Sequence, residues 1–148
     1  MSKIEVGSSV LCSPVSPGDL DTIWPWCVKW VKAGLDAGRG EHTTASILRD
    51  LAEKKKQLWV AVDEKVPEVI GVTITEITVF ENYSVLLFLI VAGKDFSRWK
   101  HLREMIEEWG VNEGCAYAEG WGRAGWGRVL EKAGYEVAYH VYRKPLIK

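Results

Sequence analysis

One stretch restricts the possible folds more than any other: Val85 to Val91 is uninterrupted apolar sequence. It falls far short of the ~20 residues that span a bilayer, and it has the pattern of a strand buried on both faces in the middle of a sheet. A sheet with such a strand needs helices on both faces. The 148 residues, 47% hydrophobic and 26% charged, suffice for one compact domain with a full-sized core, and they exclude disorder. With 19 basic and 20 acidic side chains the net charge is -1, so no overall positive field holds a polyanion, and generic nucleic-acid binding is not expected. The N-terminus lacks the basic-then-apolar pattern of a signal peptide, which points to the cytoplasm. Cys12, Cys27 and Cys115 are far apart and form no C-x-x-C, so neither a disulfide framework nor a zinc cage is suggested. His42, His101 and His140 lack metal-ligand spacing, and no metal is expected.

Around the central run the periodicity changes repeatedly. Residues 3–11 read as a first strand ended by Pro14, Pro17 and Gly18. Ser16, Pro17 and Asp19 suit a helix start, and the helix that follows reaches about Ala37, with Pro25 expected to kink it or move its start later. Thr43 or Thr44 caps a second helix with an Ile47, Leu48, Leu51 stripe, and Lys54, Lys55 and Lys56 are expected in its last turn, against the dipole. Strands follow at 57–62, from Val69 to about Phe80 and from Ser84 to Val91. An amphipathic helix from about Ser97 to Trp109 turns Trp99, Leu102, Met105, Ile106 and Trp109 inward, and Gly110 and Gly114 end it. Cys115 to Glu119 reads as a strand beside the central one, Arg123 to Ala133 as a helix, and Tyr135 to Arg143 as a closing strand. The result is an α/β (α+β) domain over 1–148: a mixed, mostly antiparallel sheet with helices on both faces.

That order, together with Gln57 to Ala61, Gly71 to Thr75, Trp109 to Cys115, and Gly122-Arg123-Ala124-Gly125-Trp126 followed by Gly134-Tyr135, resembles the GNAT superfamily of N-acetyltransferases, in particular a GNAT-like group found in tailed phages and prophages. The resemblance implies acetyl-CoA as cofactor, its diphosphate held by backbone amides of a glycine-rich loop after the central strand. The matching hexapeptide here is Lys94-Asp95-Phe96-Ser97-Arg98-Trp99. Lys94 keeps a cation, but Ser97 and Trp99 replace both glycines and Asp95 adds a negative charge. A tyrosine that in the family often protonates the departing thiolate is replaced by Leu130, with Tyr117, Tyr135, Tyr139 and Tyr142 as substitutes to be placed.

Candidate bases are Glu76, Glu119 and His140; each is also readable as a solvated strand residue or a paired charge. Glu119 leads, because it precedes the loop where family members splay two strands to admit the cofactor. Lys94, Ser97, Arg98 and Arg123, with Arg128, are the candidate cofactor-binding residues, and ordinary surface charge is the competing reading for the cations. Most of the eight tryptophans are expected in the core; of Trp26 and Trp30, or Trp121 and Trp126, an exposed member reads as an anchor for a protein partner or for self-association. Loss of the glycines and the tyrosine favours a non-catalytic, virion-associated structural or binding protein. The alternative is an acetyl-CoA-dependent N-acetyltransferase in which Lys94 and Arg98 replace part of the cradle and Glu119 is the base.

Overall fold

A computed structural model describes residues 9–121 and 126–147. The elements are β1 (Val10–Val15), α1 (Leu20–Asp36), α2 (Thr44–Ala52), β2 (Gln57–Asp63), β3 (Glu68–Val79), β4 (Ser84–Gly93), α3 (Leu102–Asn112), β5 (Tyr117–Gly120) and α4 (Gly127–Lys132). Short 3-10 turns at Pro17–Asp19 and Phe96–Arg98 lead into α1 and α3. The five strands lie side by side in chain order, antiparallel from β1 to β4, with β5 parallel to β4. This is the mixed, mostly antiparallel α+β sheet that the sequence implies.

Alternation along the strands divides the core in two. Cys27, Val31, Ile47 and Leu51 of α1 and α2 pack against Val60, Val72, Ile74 and Ile90 on one face. On the other, Leu102 and Ile106 of α3 and the Trp99 ring cover Trp59, Ala61, Ile70 and Leu86. Helices therefore cover both faces. α1 runs through Pro25, because buried Leu20 on one side of it and Cys27 and Val31 on the other dock on the same surface. Thr43 is the cap of α2: its hydroxyl accepts from Ser46 N–H at 3.0 Å while the Ser46 hydroxyl accepts from Thr43 N–H.

Several expectations are corrected. The most buried strand is β3, whose residues from Val69 to Thr75 are all buried; in β4, Leu89 is half-buried and Val91 exposed because β5 leaves β4 after Phe88. The lysine run follows α2 rather than ending it. Lys54 turns the chain at φ 63°, and Lys56 is buried, with Nζ 2.6 Å from Asp50 and 3.1 Å from Glu76. α3 starts at Leu102 rather than at Ser97, since Trp99 turns inward and donates its indole N–H to the Lys94 carbonyl at 2.8 Å. It also passes Gly110, where a Cβ would stand 2.8 Å from Leu86 Cδ2. Residues 135–147 form no strand; Tyr135 N–H closes a turn onto the Leu130 carbonyl, and no later residue pairs its backbone among the described residues. Alternation alone does not make a strand; a ladder of backbone hydrogen bonds does. Residues 3–8 of the expected first strand, and Arg123 to Gly125 of the expected last helix, lie outside the described residues.

Candidate active site

The site is built where β4 and β5 part. Their parallel register runs from Val85 opposite Tyr117 to Phe88 opposite Gly120, and β4 then continues alone to Gly93. At the same point the β3–β4 register slips: Ile90 faces Ile74 but Phe88 faces Thr75, so Leu89 is the extra residue of a β-bulge. Bulge and departure together open a fork, in which the outer side of β4 from Leu89 onward has no strand beside it.

Glu119 stands at the mouth of this fork, half-buried and directly opposite Leu87. Leu87 in turn faces Glu76, so Glu76, Leu87 and Glu119 form one cross-strand row on the side of the sheet that carries Ile74, under α1 and α2. The two carboxylates differ in company. Glu76 is engaged by the buried ammonium of Lys56. Among the described residues Glu119 meets a phenol: Tyr139 Oη lies 3.5 Å from Glu119 Oε1. Tyr139 is thus the one of the four candidate tyrosines whose hydroxyl reaches a candidate carboxylate base among the described residues. Tyr135 donates to Glu107 at 2.5 Å, and burial, then Glu107, pushes its phenol well above the usual range. Tyr117 stacks edge-on against Tyr83, and Tyr142 lies by His140, which is exposed.

The loop after β4 is closed by packing. The Trp99 ring fills the space above two glycines: a Cβ on Gly71 would stand 2.5 Å from the ring, and one on Gly93 would stand 2.3 Å from the Ile70 carbonyl. Asp95 takes a left-handed φ of 53° to make the turn. Lys94 Nζ is 2.7 Å from Glu68, which raises its pKa, and Arg98 Nη1 is 3.1 Å from Asp63 and 3.7 Å from Asp95. Of the predicted phosphate cations, Lys94 and Arg98 therefore already have carboxylate partners. Asp63 also accepts from Lys65 N–H at 3.0 Å and from Val66 N–H; these, with Arg98, hold its carboxyl below the ordinary range against the opposing cost of desolvation.

Other groups near this loop stay uncommitted among the described residues. Ser97 is exposed, and neither its hydroxyl nor the backbone N–H groups of Phe96 and Ser97 make a hydrogen bond there. Lys100, at the entry to α3 and just beyond the hexapeptide that sequence reasoning counted, pairs with no carboxylate among the described residues. The edge of Trp126 meets Phe96 with centroids 6.0 Å apart, which brings the start of α4 to the same loop. Arg128 is exposed on α4, and Arg123 lies outside the described residues. Ser97, Lys100 and the two free amides suit an anion at the surface, and the fork suits an extended arm leading inward; the residues present fit a nucleotide thioester, with a different cation set from the predicted one.

Burial pushes the thiols of Cys12 and Cys27 up to about 11 and about 12, so neither serves as a nucleophile near neutrality. Among the described residues no His, Cys, Asp and Glu cluster could hold a metal, and no helix is long and apolar enough to cross a membrane. Of the tryptophans, Trp59 and Trp99 are buried, Trp30 donates to the Val69 carbonyl, and Trp26 and Trp121 are 60% and 68% exposed.

Solved structures resemble this fork-bearing sheet over nearly its whole length. A Trypanosoma brucei acetyltransferase aligns with 93% of this chain and 99% of its own at TM-score 0.67 and 14% identity. The fold is that of the GNAT acetyltransferases. The GNAT fold appears likewise in glucosamine-6-phosphate N-acetyltransferase from Arabidopsis thaliana, with 95% and 100% covered, TM-score 0.67 and 12% identity. An aminoglycoside acetyltransferase from an uncultured soil metagenomic sample, in complex with sisomicin, covers 93% and 97% at TM-score 0.66 and 11% identity. No protein-family model matches the chain, and no curated protein matches it by sequence.

Proposed function

We propose that this GNAT-fold chain is an acetyl-CoA-dependent N-acetyltransferase. The observation that carries the reading is the Glu119–Tyr139 contact at the mouth of the β4/β5 fork, a carboxylate and a phenol side by side where the sheet opens. A base and an acid in contact there suit acyl transfer to an amine. Acetyl-CoA supplies the activated acyl group as a thioester. Ser97, the amides of Phe96 and Ser97, and Lys100 hold its phosphates. Glu119 takes the proton that the acceptor amine sheds on attack. Tyr139 gives its phenolic proton to the departing sulfur and is reprotonated from Glu119, so protons balance over a turnover. Glu76 is held by Lys56 and keeps the row of strand residues in place without taking part.

The three structural neighbours named above, each an acetyltransferase, weigh toward transfer rather than toward the virion-associated scaffold that the altered loop suggests. The Trp99 packing and the paired Lys94 and Arg98 are what favour the second reading, a binding protein without catalysis. Calorimetry with acetyl-CoA, followed by thiol-release assays over a panel of small amines, separates the two. Micromolar binding and Glu119-dependent thiol release are expected. Absence of binding at millimolar acetyl-CoA overturns the transferase reading in favour of the scaffold.

A further inference from the structure

Residues 127–147 are lightly attached to the rest of the molecule. α4 buries no residue, residues 136–147 are all exposed, and beyond Tyr135 no backbone group pairs among the described residues. Two side-chain hydrogen bonds tie this stretch to the sheet and its helices among the described residues: Tyr135 Oη donates to Glu107 and Tyr139 Oη to Glu119. They are unequal. The Tyr139 contact is 3.5 Å long and exposed, and a bond of that kind contributes less than it costs to order the residues that carry it. The Tyr135 bond is 2.5 Å long, half-buried and accepted by a carboxylate, which makes it the stronger kind.

Each half of the Tyr135 anchor is fixed from its own side. Glu107 follows buried Ile106 on α3, and Arg103 Nη1, one turn earlier, lies 2.8 and 2.7 Å from its two oxygens, so the carboxylate is aimed independently of the phenol. Tyr135 is delivered by a Schellman turn at the end of α4: Gly134, at φ 89°, donates its N–H to the Glu131 carbonyl, and Tyr135 donates its own to the Leu130 carbonyl. Four residues carry the chain from Tyr135 to Tyr139, a reach of about 14 Å at full extension. We infer that Tyr135, held by Glu107, is a positioning residue for the acid: its anchored ring sets where the strap 136–139 begins, and so brings the Tyr139 phenol to Glu119. Tyr135 gives no proton in this scheme and acts only through Tyr139. The kinetic consequence rests on the transferase reading, while the placement can be read without turnover.

Tyr135→Phe removes one oxygen from the anchor, and Glu107→Leu removes its acceptor. Each is expected to lower kcat for thiol release about tenfold, to the level of Tyr139→Phe, with KM for acetyl-CoA within about twofold of wild type. Tyr135→Phe combined with Tyr139→Phe is expected to be no slower than Tyr139→Phe alone, since the one positions what the other supplies; a merely structural loss would multiply with it. Fluorine NMR of the full chain labelled with 3-fluorotyrosine reads the contact directly, the Tyr139 resonance being assigned by its loss in Tyr139→Phe. Glu119→Gln is expected to move that resonance in the wild-type background and to leave it in place in Tyr135→Phe; Glu107→Leu serves both readouts if the first variant folds poorly. Unchanged kcat in both anchor variants of an active enzyme, or losses that multiply in the double variant, overturns the inference. A wild type that releases no thiol with any amine overturns the transferase reading alone, and the spectra then decide: the same response to Glu119→Gln with and without the anchor, present or absent, overturns the positioning role.

Discussion

The two ends of the open half of β4 are built on opposite principles. At the Gly93 end both cations of the hexapeptide are matched, Lys94 to Glu68 and Arg98 to Asp63, with Trp99 wedged over Gly71 and Gly93. At the Phe88 end β5 turns away, and Glu119 is left half-buried beside a phenol rather than a cation. The contrast shows why residue type is a poor guide to a binding cation: a guanidinium already bonded to a carboxylate, as Arg98 is to Asp63, has little left to offer a ligand.

The largest effect is expected at the packed end. Trp99→Ala removes a 2%-exposed ring from the α3 face and should cost about 3–5 kcal/mol in urea denaturation, whereas Trp121→Ala, at the open end, should stay within about 0.5 kcal/mol. Equal costs for the two tryptophans would erase the contrast. At the fork, Glu119→Gln should lower kcat about 10²-fold or more with an unchanged melting temperature, and Tyr139→Phe should lower it by less. Full activity of Glu119→Gln would remove the carboxylate from the mechanism.

Lys56→Met tests whether Glu76 is spoken for. It leaves Asp50 and Glu76 without their shared ammonium and should cost about 2–3 kcal/mol. A neutral outcome would mean that water screens both carboxylates. Stability should also depend on pH in a direction set by the same contacts. The Asp63 carboxyl, lowered first by Lys65 N–H and then by Val66 N–H and Arg98, and that of Asp50, lowered by Lys56, contribute stability that is present above their unfolded pKa values and lost as pH falls through the folded ones. Lys56 has the opposite sign: burial lowers its pKa, but hydrogen bonds to Asp50 and Glu76 outweigh this and raise it, so its contribution is lost at alkaline pH, above 10.5. Melting temperature against pH should therefore fall on both limbs, and Asp63→Asn should flatten the acid one; an unchanged acid limb in that variant would show the Asp63 contacts to be idle. The smallest effect is at the cap of α2, where Thr43→Ala should cost about 1 kcal/mol by thermal denaturation, and no measurable cost would mean that Ser46 alone satisfies the helix start.

Much of the fold was legible because its signals are local. The Val85 to Val91 run, the Ile47 and Leu51 stripe, and the change of period at Gln57 each lie within a few residues, and each became the element expected. Glu119 was legible by resemblance, from its place before the loop. Tyr139 was only one of four tyrosines, and nothing in its neighbours distinguishes it, since its partner lies twenty residues away. Lys56 read as one of three equivalent lysines because burial is a property of the neighbours brought by β3, not of the residue.

By itself the sequence determined the periodicities, and so which residues face the sheet, and the departure of the Lys94 to Trp99 loop from a glycine-rich cradle. Only the tertiary structure decided which charges stay free, where β5 leaves β4, and that residues 136–147 pair no backbone among the described residues. The physical reason is range. Helix and strand patterns arise from dihedral and burial preferences over one or two turns, whereas a fork, an ion pair across strands and an unpaired segment depend on residues whose proximity is set by register and packing of the whole sheet.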